Sequence, residues 1–159
     1  MRTISHAPAP ELPCLEITVP EGWKESFEDD LLTLTRGERG VGALQVSLAP
    51  HLYEPDILPP KMVSLAEQFA AQGADGPVVG QRVWRRTAAR TSTAPRQEVI
   101  AATAGAPRGE WFVQCFIIRQ GESIAFATYV CRAADRPAEI DAAEQILQTI
   151  EIRPPQAKS

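Results

Sequence analysis

At 159 residues, with a formal net charge of −4 and 44% hydrophobic content, the chain is sized for one domain with a substantial core. Its negative balance argues against a general nucleic-acid binder, and no run approaches the roughly 18 consecutive apolar residues that a membrane helix needs. Its three cysteines, Cys14, Cys115 and Cys131, are an odd number with no Cys-x-x-Cys spacing. They read as free thiols of a reducing compartment, with no zinc site.

Residues 1–13 are rich in Pro and Ala and are expected to form a flexible arm ahead of a single domain over 14–154, with 155–159 a tail. The arm lacks the apolar stretch of a signal peptide, which predicts a cytoplasmic protein. Leu15–Val19, Leu31–Thr35 and Ala43–Leu48 alternate as strands, and Pro20-Glu-Gly-Trp23 is a turn that folds Trp23 onto the core. Met62, Leu65, Ala66 and Phe69 then follow helical spacing, with Pro60 in the first turn and Gly73 past the end. Val78–Arg90 and Arg96–Ala102 are predicted strands. A second helix starts near Asp135-Arg136-Pro137 and carries Ile140, Ala143, Ile146, Leu147 and Ile150 as its apolar stripe, and Glu151–Arg153 is a short last strand.

The strongest local signal is a hairpin from Trp111 to Cys131. Centred on Gln120-Gly121, it pairs Ile117 with Ile124 and Cys115 with Phe126, and places Trp111, Cys115, Ile117 and Phe126 on a core face. Cys115 and Cys131 fall on opposite faces, too far apart for a disulfide. The other face carries Phe112, Phe116, Ile118 and Tyr129. The predicted fold is therefore α+β: one central antiparallel sheet of about six to seven strands with two helices packed on one face. With both helices on one side, the second face is left for a partner or a second copy, unless the loop over 49–60 or the N-terminal arm folds across it.

Little in the chain suggests chemistry. His51, Glu54 and Asp56 share a Pro-rich loop, where carboxylates are ordinarily solvated, and no metal or cofactor site is assigned. Nucleophile-elbow, phosphate-loop and dinucleotide motifs are absent. Glu28-Asp29-Asp30 reads as a solvated turn. Arg82, Arg85, Arg86, Arg90 and Arg96 form one cationic cluster around Trp84. Alternation puts Arg82, Trp84 and Arg86 on one side and Arg85 on the other. The cluster is either an edge strand protected by charge or an anchor for an acidic partner.

The strand ending in Pro20-Glu-Gly-Trp23, the strand Ala43-Leu-Gln-Val-Ser47 and the closing Ile146-Leu-Gln-Thr-Ile-Glu-Ile152 resemble the PsbP/Mog-like family. Its bacterial branch includes the Eag-type chaperones of Rhs effectors in type VI secretion. The resemblance spans about Leu15 to Arg153 and implies a domain that acts by binding, holding apolar helices on an open sheet face. Together these features predict a non-enzymatic, cytoplasmic protein-binding domain without cofactor, a secretion-associated chaperone or adaptor whose partner is a secreted effector. The expected contacts are Phe112, Phe116, Ile118 and Tyr129, with Trp84, Arg82, Arg85 and Arg86 beside them. The alternatives are an immunity protein against a cognate toxin, using the Arg strand, and a homodimer closed on the apolar face.

Overall fold

A computed structural model describes residues 1–7, 13–36, 42–48, 57–87, 98–121 and 123–153. The strands are β1 (Arg2–His6), β2 (Cys14–Val19), β3 (Lys24–Glu28), β4 (Leu31–Thr35), β5 (Ala43–Leu48), β6 (Val79–Thr87), β7 (Glu98–Arg108), β8 (Trp111–Gln120), β9 (Ser123–Arg132) and β10 (Glu151–Arg153). Helix α1 (Pro59–Ala71) falls between β5 and β6, and α2 (Arg136–Leu147) between β9 and β10. The fold is α+β. Seven strands form an antiparallel sheet in the order β3-β4-β5-β9-β8-β7-β6, and β1-β2-β10 form a second, three-stranded sheet.

The hairpin β8–β9 sits at the centre of the large sheet, as its apolar character on both faces requires. Its register differs by two residues from the expected one: Gln120 pairs with Ser123, Ile117 with Phe126 and Cys115 with Thr128. Gly121, at φ +61°, is the first residue of the turn, the position where primed hairpin turns demand positive φ. A slip of two preserves the pleat, so each side chain stays on its expected face, and none of the three cysteines is in a disulfide.

The helices lie on opposite faces of the large sheet, not on one. On the first face, Met62, Ala66 and Ala70 of α1 bury Ala102, Ala104, Cys115 and Ile117. On the second, Ile140, Ala143, Ile146 and Leu147 of α2 pack with Leu15, Ile17, Val19 and Ile152 of the small sheet over Phe112, Phe116, Ile118 and Tyr129. Residues 2–6 of the expected flexible arm are a paired strand with Ile4 and His6 buried, because pairing with β2 satisfies their backbone and lets both side chains leave water. Residues 8–12 and 154–159 lie outside the described residues, as does the His51–Asp56 loop.

Polar side chains tie the small sheet down. The Gln120 side chain accepts from Ile152 N–H at 2.6 Å and donates to Glu151 at 3.0 Å. Thr149 Oγ1 accepts from Thr18 N–H at 2.9 Å and donates to Ile146 C=O at 2.7 Å. Trp23 is buried, as its turn predicted.

Candidate functional site

The four apolar side chains expected to meet a partner are interior. Phe112 is 3% exposed, and Phe116, Ile118 and Tyr129 are fully buried. Covering this face takes α2, β2 and β10 together with β1, which the sequence offered only as part of an arm. Tyr129 Oη donates to the buried carboxylate of Glu139 on α2. Burial, and then the bond to Glu139, hold the Tyr129 hydroxyl well above its ordinary pKa. A face carrying a hydrogen bond of this kind is a core interface, so the homodimer expected on it is also excluded from that place.

The Arg strand is β6, an edge of the large sheet. Its alternation is as expected. Arg82 pairs with Glu144 of α2, Arg86 with Glu151 of β10 at 3.0 Å, and Trp84 packs between them against the core. Two of the four residues are thus spent holding the cover in place. Arg85 points to the α1 side, with an exposed pairing to Glu98 at 3.5 Å. Arg90 and Arg96 lie outside the described residues.

Two of the expected residues, Arg82 and Phe112, meet in a cleft of about 340 Å³, lined also by Val79, Gly80, Gln114, Ile140 and Asp141. It opens where the β6–β7 register shifts between Val79 and Arg82. The volume is at the small end of ligand sites. Gln114 is not spare, since its amide donates to Thr103 Oγ1 at 2.6 Å. The cleft can seat one amphipathic side chain against Phe112 and Ile140.

The larger opening lies on the other face. Helix α1 lies over β6, β7 and β8 and touches β9 through Phe69, and the sheet runs on through β5, β4 and β3. In register, one row across this face runs Ala104, Cys115, Thr128, Gln45, Thr33, Ser26. The first two are buried, the next three partly exposed and Ser26 exposed. The adjacent row runs Ala102, Ile117, Phe126, Ser47, Leu31, Glu28 and makes the same transition. This half-face mixes hydroxyls and an amide with Phe126 and Leu31. Phe69 of α1 meets Phe126 at 4.7 Å between ring centroids and marks the boundary.

At one end of that face stands Trp111, placed in the core by its hairpin parity but 44% exposed. It is the outermost residue of β8, and its neighbours across the ladder are the charged Arg108 and Arg132. The Arg132 guanidinium lies 5.6 Å from its ring centroid. The sequence signal for this site was its position at the strand end, next to charged partners.

His6 is buried and donates from Nε2 to Asp30 C=O at 2.9 Å, which occupies it structurally. Burial pushes the Cys115 thiol up to about 11, making it a poor nucleophile at neutral pH. Among the described residues no group of three His, Cys, Asp or Glu is placed to hold a metal ion, and no helix is long and apolar enough to cross a membrane.

No family model and no curated protein matches the chain. Among solved structures, a crystal structure from Bacteroides thetaiotaomicron is similar with a TM-score of 0.47 and 10% identity, over 91% of this chain and 47% of that one. The chain spans about half the length of that protein, and a likeness this distant carries no argument about function.

Proposed function

We propose that this is a non-catalytic, cytoplasmic protein-binding domain, and that its partner seats on the open half of the large sheet. One observation carries this: the sheet continues past α1 with Thr33, Gln45, Thr128 and Phe126 partly exposed. An apolar segment laid there meets Phe126 and Leu31 and finds hydrogen-bonding groups beside them. Those groups suit a segment whose own polar atoms need partners. Trp111 and Arg132 at the rim supply residue types enriched in interface anchors. Secretion-associated chaperone or adaptor is the most specific form of this proposal, supported by the likeness of the Pro20–Trp23 and Ile146–Ile152 segments to PsbP/Mog-like proteins. It moves the contact from the face of Phe116 to that of Phe126.

The test is capture of a partner from the native host, its identification by mass spectrometry, and rebinding of the purified pair. Gln45→Arg and Thr33→Arg put bulk and charge on the open half-face without touching the core. They are expected to keep the circular dichroism and melting temperature of the parent and to lose the partner. Unchanged affinity in both variants would sink the proposal.

A further inference from the structure

Strand β3 ends the large sheet opposite β6 and carries Lys24, Glu25, Ser26, Phe27 and Glu28. It is exposed along its length except at Glu25, and Phe27 is 50% exposed. A sheet edge presents backbone donors and acceptors to any strand of suitable charge.

We propose that β3 pairs antiparallel with β3 of a second copy of this chain, about a two-fold axis through Ser26, to give a continuous fourteen-stranded sheet from two sheets of seven. Charge selects both the occupant and the register. Centred on Ser26, each Lys24 lies opposite Glu28 of the other copy, so two opposite-charge pairs form on one face. On the other face Glu25 lies opposite Phe27, and the two Phe27 rings become diagonal neighbours, within reach of one another at about 7–8 Å. Glu25 carries no uncompensated charge there, since Arg2 pairs with it at 2.5 Å. Slipping the register by two residues in one direction puts Glu25 against its own copy. The opposite slip puts Glu25 against Asp29. The first loses both Lys24–Glu28 pairs; the second trades them for Lys24 against Asp30 but runs the ladder into the turn at Asp29, whose φ is +56°, and the faces forbid slips by one. The edge at β6 lacks this self-complementarity, because Arg82, Arg85 and Arg86 give it one sign.

A symmetric pairing of this kind closes at two copies. It also places the open half-faces side by side, with the Lys24–Glu28 pairs at their seam. The dimer does not depend on the partner-binding proposal and is tested without any partner.

Sedimentation of the full chain over a concentration series is expected to show a monomer–dimer equilibrium. Lys24→Glu faces Glu28 with a like charge twice per dimer and is expected to weaken association roughly tenfold or more. Combining it with Glu28→Lys restores opposite charges and is expected to recover dimerisation. Ser26→Cys places two thiols across the axis within disulfide reach, and mild oxidation is expected to give a covalent dimer that the parent chain does not form. A strictly monomeric parent overturns the proposal. So does a natively folded Lys24→Glu/Glu28→Lys double variant that stays monomeric, or a Ser26→Cys variant that fails to crosslink while a dimer persists.

Discussion

Phe116 shows how much a single residue's surroundings decide. On an open face, Phe116→Asp would spare the fold; under α2 and the small sheet it buries a carboxylate with no partner. It is expected to leave no cooperative unfolding transition at room temperature, and a melting curve like that of the parent would contradict the closed core. Cys115 gives a pH signature. Its folded pKa, about 11, exceeds the unfolded value of roughly 8.5. The folded state therefore keeps its proton while the unfolded chain loses it. Stability is complete below about pH 8.5, declines between there and pH 11, and levels off above. The loss is on the order of 3 kcal/mol from this thiol, and Cys115→Ala is expected to remove that part of the slope in urea titrations at stepped pH. Tyr129 adds its own decline from about pH 10 upward, because its proton is also held more tightly when folded. The face of each of these side chains was legible from pleat alone. The burial of Cys115 was legible too; that of Phe116 and Tyr129 was not, since exposure is set by whatever lies on top, and Trp111 shows the same lesson in reverse.

Among the elements, strands with clean alternation declared themselves, from Leu15–Val19 to the hairpin, and so did both helices. The strands that escaped are β1 and β3. β1 hides in a segment read as an arm because of its Pro and Ala, and β3 carries Lys, Glu and Ser, residues that favour water over a pleated apolar surface. The placement of α2 was lost for a related reason. Nothing in its stripe of Ile140, Ala143 and Ile146 says which face of the sheet it seeks; only the long-range pairing of β10 with β2 carries it across. The Arg82–Glu144 pair then fastens it, with the glutamate side chain 6% exposed and the arginine half-exposed. Arg82→Leu strands that carboxylate and is expected to cost about 1–3 kcal/mol. Arg85→Leu, at an exposed pair, is expected to cost less than about 1 kcal/mol. Equal costs in denaturant unfolding would show that Arg82 holds nothing in place.

For the whole molecule, counting helices against sheet faces pointed to a surface in need of a cover, and the molecule supplies one from its own chain. α+β and a large antiparallel sheet were legible because periodicity reports them directly; the division into two sheets was not, because it rests on pairings between residues more than 130 positions apart, such as Glu16 with Glu151. That small sheet joins β1 and β2, made early, to β10, made after every other strand. A ribosome therefore releases β8 and β9 before their cover can close. For that interval Phe116, Ile118 and Tyr129 are available to any holdase or neighbouring chain, and the apolar face that the finished protein hides is a property of the nascent one.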